Sequence, residues 1–124
     1  MILIDASVWI DHLRRAESRL QRLMTDKQLL MHSYAIGEIM LGSIASRATV
    51  LTTLMDLPQA PIATHEEVLD LIERERLHGL GIGYVDAHLL ASARLADATL
   101  WTRDKWLDLA ADRLGIRAGA GPRQ

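Results

Sequence analysis

A three-layer α/β/α domain with four or five short parallel strands is the fold class this sequence predicts. Three observations carry that reading. Apolar triplets too short for helices, such as Ile2-Leu3-Ile4 and Leu29-Leu30-Met31, alternate with stretches of helical periodicity. Strands that alternate with helices pair in parallel and are covered on both faces. The chain's 124 residues, 49% hydrophobic and 24% charged, match one compact globular domain.

The elements follow in order. Ile2 to Ile4 is a buried strand. A helix starts at Ser7, with Trp9, Ile10 and Leu13 on one side, and a second runs from about Glu17, with Leu20, Leu23 and Met24 at helical spacing. The run Leu29 to Met31 is the second strand. Ser33 is the predicted cap of a helix carrying Ile36, Ile39 and Met40. A further helix spans about Ser46 to Met55. Pro58 and Pro61 restrict Ala60 to Ala63 to a short edge strand at most. Glu66 to Leu77 is amphipathic, with Val68, Leu71 and Ile72 on one face. Gly79, Gly81 and Gly83 then break the chain. Val85 to Ala96 is apolar almost all round, the pattern of a central buried helix. Thr99 to Trp101 is a strand, Lys105 to Leu114 a helix, and Ile116 to Ala118 a last short strand. The domain is expected over residues 1–118, with 119–124 as a flexible tail.

Composition excludes several classes of function. There is no Cys, so a disulfide scaffold, a thiolate zinc site and a Cys nucleophile are absent. No apolar run reaches the roughly 18 residues of a membrane span. The opening Met-Ile-Leu-Ile-Asp has no basic segment and is not a signal peptide, so the expected location is the cytoplasm. The net charge of −2 gives no general attraction to nucleic acid. Lys27 and Lys105 are the two lysines among 14 basic residues, and the rest are Arg, which suits forked contact with carboxylates and phosphates.

Ligands of such sheets bind beyond the carboxyl ends of the strands. Asp5 follows the first strand, and Glu38 lies in the second turn of the helix after the second strand. Asp86 opens the Ala-rich helix after the glycine loop, and Asp104 follows Thr99 to Trp101. All four map to one edge. Each alone reads as a helix cap or a partner of the helix dipole. Together they repel one another and call for a cation, and hard oxygen donors suit Mg²⁺ or Mn²⁺. A pair of such ions can drive phosphodiester hydrolysis.

The segment Ile4-Asp5-Ala6-Ser7-Val8-Trp9-Ile10-Asp11 resembles the first motif of PIN-domain nucleases, and more narrowly of VapC-type toxins from bacterial toxin–antitoxin pairs. Glu38 with Leu41-Gly42 is similar to the second motif, Val85-Asp86-Ala87-His88-Leu89-Leu90-Ala91 to the third, and Leu100-Trp101-Thr102-Arg103-Asp104 to the fourth. The likeness runs from about Met1 to Ala118. It implies an endoribonuclease dependent on Mg²⁺ or Mn²⁺ that inhibits translation, with transfer RNA as a candidate substrate. Asp5 and Asp86 would be the main metal ligands and catalytic residues, completed by Glu38 and Asp104. Ser7 and Thr102 would be polar helpers. Lys105-Trp106 stands where many relatives carry another polar or acidic residue.

The resemblance also implies a VapB-type antitoxin partner, seated in a groove along the first helices with Trp9, Ile10, Leu13 and Leu20 as its candidate wall. The apolar surplus on those helices points further to a homodimer. Arg14, Arg15, Arg103 and Lys105 are candidate RNA contacts beside the pocket, while Arg19 and Arg22 share the first two helices with the former pair. Asp11 reads as a helix-surface charge and Asp97 as part of a turn. His88, two residues from Asp86, shares no helix face with it. His32 lies near the edge and reads as structural; His12, His65 and His78 carry no signal. Two other functions fit the layout: a receiver-type Mg²⁺-binding signalling domain and a non-catalytic PIN-like binding module. A receiver would need an acidic pair after the first strand and an Asp where Ser33 stands.

Overall fold

A computed structural model describes residues 1–119 of the chain. Strand β1 (Ile2–Ile4) lies between β2 (Leu29–Leu30) and β3 (Thr99–Trp101), in the order β2-β1-β3, and both pairings are parallel. Leu3 faces Leu30 on one side and Leu100 on the other. Side chains of successive strand residues point to opposite faces. Leu3, Leu30 and Leu100 accordingly enter one core, and Ile4, Leu29 and Met31 enter another. Each fully buried Leu or Ile adds roughly 1.5–3 kcal/mol of transfer free energy.

The helices divide along the same line. α1 (Ala6–Arg14), α2 (Ser18–Thr25), α3 (Ser33–Met40) and α4 (Arg47–Asp56) supply Trp9, Leu20, Ile36, Ile39 and Leu54 to the core on the Ile4 side. α5 (His65–Glu75), α6 (Tyr84–Leu95) and α7 (Lys105–Arg113) cover the Leu3 side with Val68, Leu71, Leu89, Leu90 and Leu107. The three-layer architecture expected from the sequence is present. α6 buries every residue from Ala87 to Ala93, as its all-round apolar pattern required.

The sheet is narrower than four or five full strands. Beyond β2, a single bridge joins Met31 to Gln59, and beyond β3 another joins Leu100 to Arg117. The Met31 N–H donates to the Pro58 carbonyl (2.8 Å), and the Ala60 N–H donates to the Met31 carbonyl (2.8 Å). Pro61 has no N–H to carry the ladder further. Of the segments expected as outer strands, Ile116–Ala118 is reduced to the bridge at Arg117, and Ala60–Ala63 lies just past the bridge at Gln59. Within the tail expected from Gly119, residues 120–124 lie outside the described residues. Among the described residues no helix is long and apolar enough to cross a membrane.

One cap differs from expectation. Ser33 is the first residue of α3, and the cap is His32, whose Nδ1 accepts from the Tyr34 N–H (3.0 Å). The His32 ring is fully buried, and its Nε2 pairs with the Ser92 hydroxyl of α6 (3.0 Å). Burial, and then the neighbouring His88, bring the His32 pKa down to about 4. His32 is therefore a neutral structural link across the sheet edge.

Candidate functional site

The parallel strands all deliver their carboxyl ends to one edge, where short turns lead into helices. Asp5 caps α1 and Asp104 caps α7, so two of the four acidic residues sit at helix starts. Asp86 stands in the first turn of α6, where its Oδ2 accepts from the Gly83 N–H (3.0 Å). Asp104 Oδ1 accepts from the N–H groups of Trp106 (2.9 Å) and Leu107 (3.0 Å). Capping is thus real for these side chains, yet it occupies one oxygen of each. Among the described residues, hydrogen bonds reach neither oxygen of Glu38.

Asp5 is the best anchored. It is buried, and its Oδ2 accepts from the Ser7 hydroxyl (2.6 Å), the Thr102 hydroxyl (2.8 Å) and the Ser7 N–H (3.3 Å). Both hydroxyl protons go to Asp5, so the 3.3 Å approach of Ser7 to Thr102 is a contact without a proton of its own. The same hydroxyl oxygens accept from the backbone of the next loop: Arg103 N–H to Ser7 (2.9 Å) and Asp104 N–H to Thr102 (3.0 Å). Ser7 and Thr102 therefore join the loop after β3 to the carboxylate after β1.

The four carboxylates feel one another. The Glu38 carboxyl lies above its ordinary pKa, first through desolvation and then through repulsion by Asp5 and Asp86. Asp86 is raised too. Desolvation is the largest cause, the Gly83 N–H opposes it, and repulsion by Asp5 and Asp104 adds to it. Among the described residues no three Asp, Glu or His side chains form a ready-made metal cage. The helix starts hold these side chains, and no partner draws them together. The donor set still fits a hard divalent cation, because it is all carboxylate oxygen and its repulsion disfavours the charged state a cation would stabilise.

The match to known proteins agrees with this geometry. The PIN domain family model covers residues 2–112. Ribonuclease VapC32 of Mycobacterium tuberculosis is 50% identical over 117 residues, 94% of this chain and 94% of that protein. The chain belongs to the PIN-domain family, among the VapC-type ribonuclease toxins. Solved structures share the fold at lower identity. PAE2754 from Pyrobaculum aerophilum superposes with a TM-score of 0.64 at 18% identity, covering 88% of this chain and 83% of that one. FitAcB from Neisseria gonorrhoeae gives 0.61 at 21% identity, covering 90% and 94%. The PIN-domain match rules out the receiver layout, and the ribonuclease relatives favour a nuclease over a non-catalytic PIN-like module.

Two of the PIN domain's candidate RNA contacts, Arg103 and Lys105, have partners within the chain. Arg103 is committed to Asp11 (2.8 Å) and Glu17 (2.7 Å) and lies over the Trp101 ring at 5.7 Å. It ties α1 and the start of α2 to the loop of Asp104, which makes it a brace. Asp11, read as a surface charge, is one of its anchors. Lys105 lies over the Trp106 ring at 4.9 Å, and Arg19 over Trp101 at 4.6 Å. Arg14 and Arg15 are exposed on the α1 side.

The groove candidates of this PIN domain also separate. Trp9 and Leu20 are core residues, 2% and 0% exposed, in one cluster with Ile4, Leu29, Ile36 and Ile39. Ile10 and Leu13, by contrast, line an open cavity of about 260 Å³ with Arg14, Ile39 and Ile44. Helical periodicity identified the apolar face of α1 but could not tell its covered part from its open part. A row of rings that composition did not single out runs along the same sheet edge: Tyr34, His88, Tyr84 and His65, each edge-to-face on the next.

Proposed function

We propose that this chain is a Mg²⁺- or Mn²⁺-dependent endoribonuclease whose metal is held by Asp5 and Asp86, with Glu38 and Asp104 completing the pocket. The observation that carries the reading is the acidic edge itself. Four carboxylates share one sheet edge, and two of them sit above their ordinary pKa partly because the others repel them. When bound, the divalent ion supplies the charge that activates water and offsets the charge growing on the phosphate.

The protein's own residues do the rest. Ser7 and Thr102 fix Asp5 through one oxygen and leave the other for the ion. Gly83 does the same for Asp86 and the Trp106 and Leu107 amides for Asp104. Single-stranded loops of structured RNA, transfer RNA included, suit such an open edge, because a duplex hides its bases and constrains its backbone. Cleavage should stop in excess EDTA and return with Mg²⁺ or Mn²⁺. Undiminished cleavage of RNA in EDTA overturns the reading.

The partner reading rests on the open α1 cavity. Ile10 and Leu13 present apolar surface there, with Arg14 at the rim. A VapB-type antitoxin peptide fills such a groove with an apolar helix or strand, and a basic side chain reaching the acidic pocket would block it. Beyond the groove, Leu41, Leu51 and Met55 stay exposed, which favours a homodimer in the cytoplasm. Sedimentation of the isolated chain should give a dimer. Co-expressed with a VapB-type antitoxin, the chain should co-purify with it. Leu13→Arg should cut the captured partner at least about tenfold, since a charge placed on apolar contact surface must be desolvated. Equal capture by wild type and variant argues against that groove.

A further inference from the structure

We propose that the cavity walled by Tyr84 receives one unstacked nucleobase of the RNA, beside the phosphate that is cut. This rests on the ribonuclease reading and adds a substrate-binding residue to it. The cavity measures about 210 Å³ and is bounded by Ile72, Leu77, Ile82, Tyr84, His78 and Gly83. It falls short of the roughly 300–1,000 Å³ of sites for drug-sized ligands. Its composition suits a flat heteroaromatic ring: aliphatic walls, one aromatic wall, and a polar His78 at the rim.

Its position joins it to the chemistry. Gly83 lines the cavity and donates its N–H to Asp86 Oδ2 (3.0 Å). Tyr84 follows Gly83 as the first residue of α6, so the cavity wall and the anchor of Asp86 share one helix start. A nucleotide whose phosphate meets the acidic edge would direct a neighbouring base toward this wall. In the loop before it, Gly79 and Gly81 adopt φ of +74° and +80°, which side chains with a Cβ rarely adopt. A Cβ on Gly81 would come within 3.3 Å of the Trp106 ring.

Tyr84 is built to be a rigid wall. Its hydroxyl lies 2.6 Å from His65 Nδ1 and 3.0 Å from His88 Nε2. One phenolic proton serves one imidazole, so the hydroxyl donates to one of the two rings and accepts from the other. His65 and His88 also meet the ring edge-to-face, with centroids 5.6 and 4.7 Å away. Tyr84 is nonetheless 44% exposed. A tyrosine serving only the core would bury its ring. This one is held by its hydroxyl and by two neighbouring rings while it stays partly open to solvent, the arrangement that lets a base pack on it without first ordering the side chain.

The experiment uses the full chain and a pool of random single-stranded RNA heptamers with Mn²⁺. A cut member of the pool is then remade with an abasic residue at each position flanking the cut. At one position the abasic change should raise KM roughly 5- to 100-fold for wild type, the range expected for one stacked base. Tyr84→Leu should raise KM on intact RNA by a similar factor with kcat nearly kept, and should lose nothing more on the abasic RNA. Tyr84→Phe should retain most of the base effect. An iodouridine at that position, bound in EDTA, should photocross-link to Tyr84, which reads the contact even where Tyr84→Leu does not fold. Equal abasic penalties in wild type and Tyr84→Leu, or cross-links that map elsewhere, overturn the base site and leave the ribonuclease reading standing. A wild-type chain that cuts no member of the pool overturns both.

Discussion

Asp5→Asn should lower RNA cleavage at least about a hundredfold and lower the melting temperature as well. The first effect follows from ligand chemistry: an amide offers a hard cation a neutral oxygen in place of a charged one. A hundredfold loss corresponds to about 2.7 kcal/mol of transition-state stabilisation. The second effect follows from the hydrogen bonds that Asp5 Oδ2 accepts from Ser7 and Thr102. Bonds to a charged acceptor are about twice as strong as neutral ones. The amide oxygen can keep the geometry, but the buried site loses charge assistance, at a cost of about 1–2 kcal/mol. Single-turnover cleavage and thermal melting in EDTA read the two effects separately. Cleavage within about threefold of wild type, with metal supplied, would remove Asp5 from the metal site.

How far such residues were legible depends on the range of the interaction. The acidic edge was legible because strand-then-helix alternation is local, and a parallel sheet brings every strand end to the same side. Asp5, Asp86 and Asp104 each follow a strand or a glycine loop by a few residues, so their common edge needed no knowledge of tertiary packing. The fate of Arg103 did need it. Its partner Asp11 lies 92 residues away in sequence, and no local pattern announces that pair. Ser92 is likewise 60 residues from His32, so the bond of His32 across the sheet edge had no local signal, and the local pattern places the cap one residue away, at Ser33.

The apolar face of α1 illustrates a different limit. Period alone marks Trp9, Ile10 and Leu13 as one stripe, yet Trp9 is covered while Leu13 is 38% exposed. Which part is covered depends on α3, whose approach to α1 is a tertiary fact. The edge strands failed for a backbone reason. Pro61 can accept but not donate, so the pairing that starts at Gln59 ends with the Ala60 N–H and does not extend to Ala63. Tyr84 escaped notice because single aromatic residues carry no spacing signal. Its role emerges only with His65 and His88 placed on either side.

Asp86→Asn should abolish cleavage to a similar degree yet leave the metal-free protein as stable as wild type, or more so. Desolvation first, and then repulsion by Asp5 and Asp104, raises the Asp86 carboxyl above its ordinary pKa, and Asp86 in turn adds to the rise at Glu38. A raised folded-state value means that, in the window above the unfolded value of about 4, the native state binds more protons than the unfolded chain. Stability then falls as pH climbs through that window, and above the raised value the full penalty is present. Asn removes the penalty at Asp86 and its share of the push on Glu38. Its amide oxygen can still accept from the Gly83 N–H. In EDTA at neutral pH the variant should therefore melt between the wild-type temperature and about 4 °C above it. Its decline in stability from pH 4 toward neutrality should be shallower as well. Added Mg²⁺ stabilises a native state that binds it by mass action, so the gain seen in wild type should shrink in the variant. Two melting curves for each protein, with EDTA and with Mg²⁺, make the test. If Asp86→Asn melts well below wild type in EDTA, then Asp86 serves α6 as a structural cap and the ion is held elsewhere on the edge. Asp5→Asn and Asp86→Asn thus share one catalytic outcome and differ in the sign of their effect on the metal-free fold, because Asp5 is embedded among donors and Asp86 is crowded by like charge.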